Sequence, residues 1–308
     1  MSIKIYLNGE FVDKEKAVVS VYDHGYLYGD GTFEGIRAYK GCIFALREHT
    51  IRLYNSAKTL MIDMPMTMDE MERDIAKTLV VNGLEDAYIR LVVSRGSGDL
   101  GLDPRKCPNK PTIVIIADKI KLYPEEFYQR GLEVITASVR RTPVDSFNGK
   151  VKSLNYLNNI MARIEANNNG VGEAIMLNHQ GYVAECSADN IFLVKNNELI
   201  TPSPHLGLLE GITRNSIMKV ARSLGITVKE EVFTTHDVYN ADEVFLTGSG
   251  AEVVAVIRAD KRVIANGVPG PMTKMLRENF IKYACSYGYK LSDLPAEDLK
   301  AAKAMAAK

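Results

Sequence analysis

Ile3, Ile5 and Leu7 alternate with polar residues, which predicts a short strand with one apolar face. Asn8-Gly9 reads as a hairpin turn, and Phe11-Val12 opens the return strand. Over 48–60 the period changes: Ile51, Leu53, Tyr54, Ala57 and Leu60 recur at helical spacing. A second helix is predicted over 68–82, with Gly83 as its stop. Residues 87–94 alternate again, placing Tyr88 and Arg90 on one strand face with Val92 beyond them. A buried strand at 111–117 closes the first half. The second half predicts strands at 132–139, 173–178, 181–185, 191–195, 226–232 and 243–246, and a last hairpin from 253–257 and 261–264. One helix starts near Ser153, striped by Leu154, Leu157, Met161 and Ile164, and stops at Asn167-Asn168-Asn169-Gly170. Another enters after Gly211 with Ile217, Val220, Ala221 and Leu224 as its stripe. A short helix at 235–240 and a closing helix at 271–287 follow, and the Ala/Lys-rich tail 301–308 reads as loose. Strands and helices mix without regular βαβ alternation, which favours α+β.

Composition narrows the class. The 308 residues are 46% hydrophobic, enough for a sizeable core in one large domain or two medium ones. We expect a small N-terminal α+β domain over 1–118, a connector at 119–131, a larger C-terminal domain over 132–290 and a tail at 291–308. The 38 basic and 38 acidic residues cancel and form no long Lys/Arg run, which argues against a nucleic-acid or membrane-facing surface. Cys42, Cys107, Cys186 and Cys285 make no CxxC and no zinc spacing with histidine, so a disulfide framework and a structural metal are not expected. The first residues lack a long apolar region and no 18-residue apolar span exists, so the expectation is a cytoplasmic protein.

Candidate chemistry gathers around Lys150 and Lys152. A lysine that loses water at a structural corner becomes an amine able to attack a carbonyl, and pattern alone leaves both open. The run Gly25 to Tyr39 mixes glycines with aromatics, suited either to a β-meander core or to close approach of a flat ligand. Arg52 is a surface charge or an anion clamp. Gly96-Ser97-Gly98-Asp99-Leu100-Gly101 matches a dinucleotide fingerprint. Pro104, Pro108 and Pro111 follow where a helix should open, so it reads as a loop. Glu185 ends an apolar strand. The helix start at Ile212-Thr213 and the small residues Ser249-Gly250 both suit an anion. An amine and three anion sites together suit a phosphate-bearing aldehyde, pyridoxal phosphate.

From about Ile5 to Phe280 the chain resembles the class IV, fold type IV, pyridoxal-phosphate aminotransferases, and within them the branched-chain aminotransferases. The resemblance lies in Tyr28-Gly29-Asp30-Gly31-Thr32-Phe33-Glu34-Gly35-Ile36-Arg37, Tyr88-Ile89-Arg90, Lys152-Ser153-Leu154-Asn155-Tyr156-Leu157, Glu185 ahead of Asp189-Asn190-Ile191-Phe192, Glu210-Gly211-Ile212-Thr213-Arg214 and Ala241-Asp242-Glu243-Val244-Phe245-Leu246-Thr247-Gly248. It implies a two-domain fold whose larger domain is β-barrel-like with flanking helices. It selects Lys152 as the Schiff-base lysine and proton carrier. Glu185 is implied to pair with the pyridine nitrogen and Tyr156 with the ring's phenolic oxygen. Arg52, Ile212-Thr213 and Ser249 are implied to cup the phosphate, and Tyr88 with the backbone near Ser249-Gly250 to hold the substrate carboxylate. Phe33 and Tyr28 would line the side-chain pocket, and Arg90 would pair with the distal carboxylate of glutamate. Tyr28 and the loop at Leu102 are implied to serve the partner subunit, hence a homodimer or larger homo-oligomer.

The implied reaction is reversible amino transfer between L-leucine, L-isoleucine or L-valine and 2-oxoglutarate. A D-amino-acid aminotransferase is the nearest rival, but the loop at 97–102 lacks that group's Arg/His pair. An aminodeoxychorismate lyase is the second, and Phe33-Glu34-Gly35-Ile36-Arg37 favours the branched-chain group over both. Ser249-Gly250-Ala251 stands where Thr-Ala-Ala is frequent: the hydroxyl is kept, and the glycine loosens the turn. Cys186 stands where glycine is frequent.

Overall fold

The computed structural model describes residues 3–119 and 124–306, without the Glu125 side chain. It divides into two compact units: Met1–Ile120 with Val151–Asn155 and Ala284–Lys308, and Lys121–Lys150 with Tyr156–Tyr283. The domain boundaries expected at 118 and 132 remain our proposal, and 120–123 of the expected connector lie outside the described residues.

The first unit runs β1 (Lys4–Leu7), β2 (Glu10–Asp13), α1 (His24–Tyr28), β3 (Gly31–Tyr39), β4 (Cys42–Phe44), α2 (Leu46–Thr59), α3 (Met68–Val81), β5 (Ala87–Ser94) and β6 (Thr112–Asp118). The second runs α4 (Glu125–Arg130), β7 (Leu132–Thr136), α5 (Leu157–Asn168), β8 (Glu173–Leu177), β9 (Val183–Cys186), β10 (Asn190–Lys195), β11 (Glu198–Pro202), α6 (Ile212–Ser223), β12 (Val228–Glu231), α7 (Thr235–Tyr239), β13 (Glu243–Gly248), β14 (Glu252–Ala259), β15 (Arg262–Val263) and α8 (Pro271–Ala284). The chain then adds β16 (Gly288–Lys290) and α9 (Ala296–Ala306) to the first unit.

An antiparallel sheet, ordered β16-β4-β3-β5-β6-β1-β2, organises the first unit. Its period-2 strands turn Ile36, Ala38, Ile89, Leu91, Val93, Ile113 and Ile115 into a core with Leu46, Leu53, Met71, Ile75 and Leu79 of α2 and α3. Phe33, Gly35 and Arg37 pair with Val92, Arg90 and Tyr88 and so share the opposite face. In the second unit the sheet is mixed, ordered β12-β11-β10-β13-β14-β7-β8-β9 with β15 on β14. Its end strand β9 comes back beside β10 and β11, so the sheet curls into the expected barrel-like form. Leu132, Val134, Ile175, Ile191, Val244, Leu246 and Val254 fill it.

Four expectations change. The helix expected from Ser153 begins at Leu157. Residues 152–154 are instead drawn out along β3, with Phe33 N donating to Lys152 O at 3.0 Å and Leu154 N to Gly31 O at 2.9 Å. The helical period of α5 holds, but its apolar stripe is not core: Leu157 is 75% exposed, while Asn159, Ala162 and Ala166 are buried. Residues 301–306 are not loose but belong to α9, held to α3 by Lys77 Nζ on Asp298 Oδ1 at 2.8 Å. The strands β11 and β16 are additions that the hydrophobic pattern does not predict.

Candidate active site

In the first unit, the backbone pairing that stretches residues 152–154 also aims Lys152. Its Nζ lies 4.6 Å from the centroid of the Phe33 ring. The Arg90 guanidinium carbon lies 4.7 Å from the same centroid, and Arg90 Nη2 donates to Tyr88 Oη at 2.9 Å. A cation over an aromatic face is attracted by the ring quadrupole, so Phe33 seats both side chains. Gly35 leaves room for this cluster: a Cβ there would lie 2.2 Å from Tyr88 Oη. Lys150 behaves differently. Its side chain is 52% exposed and pairs with Glu210 at 2.5 Å.

Behind the sheet, Arg52 is no plain surface charge. Its Nε and Nη2 donate to Glu34 Oε1 and Oε2, each at 2.7 Å, and His49 Nδ1 lies 2.7 Å from Glu34 Oε2. Glu34 is fully buried. Burial opposes its ionisation, but the Arg52 guanidinium and then His49 outweigh burial and hold the carboxyl at about 2. The glycine-rich stretch at 96–101 is a loop followed only by the short 3-10 turn Pro104–Lys106, its Gly96 and Gly101 at φ +96° and +114°. Tyr28 Oη accepts from Gly101 N at 2.8 Å, which places Tyr28 beside the Leu102 loop, and Leu102 is 81% exposed.

In the second unit, Glu185 on β9 is buried and held on both oxygens. Arg141 Nε donates to Oε1 at 2.5 Å, Leu209 N to Oε2 at 3.0 Å, and Asn190 Nδ2 reaches Oε2 at 3.3 Å. Asn190 Nδ2 also donates to Leu209 O at 2.8 Å, tying Glu185 to the segment that enters α6. Ile212 and Thr213 open α6, whose Gly211 start has no side-chain cap, so its first amides point outward with the positive end of the helix dipole. The Thr213 hydroxyl is buried with no hydrogen-bond partner among the described residues, and so is that of Thr247 at the end of β13. Ser249 and Gly250 form the turn after β13, and Tyr156 stands at the start of α5. Burial pushes the Cys186 thiol well up, which leaves it an inert apolar neighbour of Glu185.

Sequence reasoning misses Arg141, which lies among ordinary loop charges, and the roles of Glu34 and Asn190. Both of the latter sit inside quoted motifs, so the signal is present without its meaning.

Residues 31–259 match the family model described as amino-transferase class IV. A relative from Methanocaldococcus jannaschii, provisionally named a branched-chain-amino-acid aminotransferase, is 55% identical over 94% of this chain and 100% of its own. A D-alanine aminotransferase from Staphylococcus haemolyticus is 34% identical over 91% of this chain and 97% of its own. The crystal structure of the branched-chain amino acid aminotransferase of Escherichia coli superposes with a TM-score of 0.90 at 32% identity, covering 94% of this chain and 97% of that one. The branched-chain amino acid aminotransferase of Thermobaculum terrenum, in its PLP-bound holo form, gives 0.82 at 29% identity, covering 92% and 94%. By family model, relatives and fold alike, the chain belongs to the class IV aminotransferases.

Proposed function

We propose that the chain is a pyridoxal-phosphate transaminase that moves an amino group reversibly between L-leucine, L-isoleucine or L-valine and 2-oxoglutarate. The observation that carries this reading is the Phe33 plate with Lys152 Nζ and Arg90 over it. It offers one amine, an apolar surface for a branched side chain and a cation for glutamate's second carboxylate.

The residues fit the cofactor. Two buried hydroxyls without partners among the described residues, Thr213 and Thr247, and the uncapped start of α6 call for an anion, and a phosphate supplies it. We assign phosphate contacts to Arg52, Ile212, Thr213 and Ser249, the ring's phenolic oxygen to Tyr156 and its nitrogen to Glu185. When bound, the cofactor supplies a conjugated ring that accepts the electron pair left at the substrate Cα. Arg141, Leu209 and Asn190 hold the Glu185 carboxylate so that it stays aimed at a ring N–H. Lys152 Nζ would take the proton from Cα as base and deliver it as acid to the cofactor's C4′ carbon. Tyr88 and the amides near Ser249 and Gly250 orient the α-carboxylate, while Phe33 and Tyr28 exclude water from the side chain. Amine donor and oxo acceptor would use the site in turn, a ping-pong course.

We also propose a cytoplasmic homodimer or larger homo-oligomer. Support comes from four free cysteines and from exposed Leu102 and Tyr26, 81% and 72%, near Tyr28 in the segment that the resemblance assigns to a partner. The test is a half-reaction screen of the cofactor-loaded protein with L-Leu, L-Ile, L-Val, L-Glu and D-Ala, read by loss of the near-visible cofactor band. Response to the four L-acids is expected. Response to D-Ala alone overturns the reading in favour of the D-amino-acid rival.

A further inference from the structure

The turn between β13 and β14 is gripped from behind. Tyr128, on α4, donates its hydroxyl to Ala251 O at 3.2 Å. Arg277, on α8, lays its guanidinium carbon 4.3 Å from the centroid of the Tyr128 ring. Its Nη2 lies 3.8 Å from Glu252 Oε2. Glu252 itself holds φ +58°, the left-handed region that a residue with a Cβ keeps only where its surroundings hold it. Arg277 Nε is buried with no hydrogen-bond partner among the described residues, and the guanidinium stacks on the Tyr128 ring beside the Glu252 carboxylate. With glycine at both 248 and 250, the turn has little stiffness of its own. The ladder closes it by pairing Gly248 with Glu252, Ala251 is buried in the core, and α4 and α8 add a hold from outside.

We propose that Tyr128 and Arg277 are positioning residues for the 249–251 turn. Acting through Ala251 O and the left-handed Glu252, they hold its amides ready for the substrate α-carboxylate. Neither touches the reacting atoms. A turn ordered in advance spares the ligand the entropy of ordering it, so the clamp shows in affinity for the carboxylate end and not in chemistry. The inference rests on the amino-transfer reading above.

Tyr128→Phe keeps the ring and the Arg277 stack but deletes the hydroxyl, and Arg277→Met removes the charge and the stack. Each is expected to raise KM for L-leucine about fivefold, the worth of one net hydrogen bond, with kcat changed less than about twofold. Inhibition by 4-methylvaleric acid should weaken about fivefold in both holoenzyme variants, while inhibition by its primary amide stays unchanged. A merely structural role would shift acid and amide together and overturns the proposal. Hydrogen exchange of the 249–252 amides is the independent readout. It should quicken about fivefold in both variants with β10 unchanged. Unaltered exchange overturns the clamp whatever the activity. Failure of the wild-type protein to turn over leucine overturns the functional reading and leaves the exchange result to decide the clamp.

Discussion

The guanidinium of Arg52 closes on both oxygens of Glu34, Nε on one and Nη2 on the other, each at 2.7 Å. The bidentate fork fixes the orientation of the arginine assigned to the phosphate. Its pH signature follows from sign. Against the pull of burial, Arg52 and His49 lower Glu34 from 4.5 to about 2. Burial lowers His49 from 6.5, with the Glu34 carboxylate pulling the other way. Both groups therefore bind fewer protons folded than unfolded. The Glu34 contribution is complete above 4.5 and lost as pH falls to about 2, and His49 withdraws stability below 6.5. Glu34→Gln leaves Arg52 without its buried counter-charge and should cost about 3 kcal/mol at pH 7. Melting curves from neutral to acid pH should show a shallower slope below 4.5 in the variant. Parallel slopes would contradict the assignment.

The two neighbouring lysines separate experimentally. Lys150 pairs with Glu210 in solvent, and exposed pairs contribute about 0–1 kcal/mol. Lys150→Ala should keep the near-visible cofactor band and turnover within about twofold. Lys152→Ala should lose the band and about a thousandfold or more of turnover, the usual effect of removing a proton carrier. Full activity in Lys152→Ala would sink the mechanism.

Much of this is legible along the chain, for a physical reason. Period 2 in 87–94 dictates which residues face the core, so Tyr88 and Arg90 can be placed together before any pairing is known. The start of α5 cannot be read. What stops a helix at Ser153 is hydrogen bonding to residues 31–33, more than a hundred positions away, and local spacing carries no trace of it. Charge is equally opaque. Glu34, buried and paired, looks like any glutamate in sequence, and so does Arg141 among loop arginines. The closing helix α9 escapes pattern reading because its apolar face is thin, with Leu299 and Ala302 on the core among alanines and lysines that resemble a solvated tail. Its strong intrinsic helix propensity, with Ala302 buried and Lys77 pairing Asp298, is enough.

Arg90 is expected to discriminate between the two substrate classes. Arg90→Met keeps the bulk over Phe33 but removes the charge. A hydrogen bond to a charged group contributes about 1.5–3 kcal/mol, so kcat/KM for glutamate should fall about tenfold to a hundredfold. The value for leucine should change by less than about threefold, since its side chain needs no cation. Steady-state kinetics on both donors decides, and equal losses would refute the role.

Gly35 and Tyr88 should couple. Gly35→Ala puts a Cβ 2.2 Å from Tyr88 Oη, so the phenol must move and its hydrogen bond from Arg90 breaks. Overpacking of this kind costs about 1–3 kcal/mol. Adding Tyr88→Phe removes the clashing oxygen, so the double variant should be more stable than Gly35→Ala alone. It should still show the raised leucine KM of Tyr88→Phe. A double-mutant cycle with additive losses would mean that the two residues do not meet.

Thr213 offers a test in which one substitution has opposite signs with and without ligand. Its hydroxyl is buried, at the first turn of a helix with no side-chain cap, and has no partner among the described residues. A buried unpaired hydroxyl costs about 1–3 kcal/mol. Thr213→Val deletes it and keeps the branched shape, so the cofactor-free protein should melt about 2–4 °C higher. A phosphate at the helix start would give that hydroxyl its missing partner. The same substitution should therefore weaken cofactor binding about tenfold, and the melting shift on titrating pyridoxal phosphate should shrink accordingly. Thr247→Val should behave likewise if its hydroxyl serves the same anion. Thermal shifts with and without cofactor read both signs at once. A cofactor-free variant that melts lower would show that the hydroxyl serves the fold and would remove Thr213 from the phosphate site.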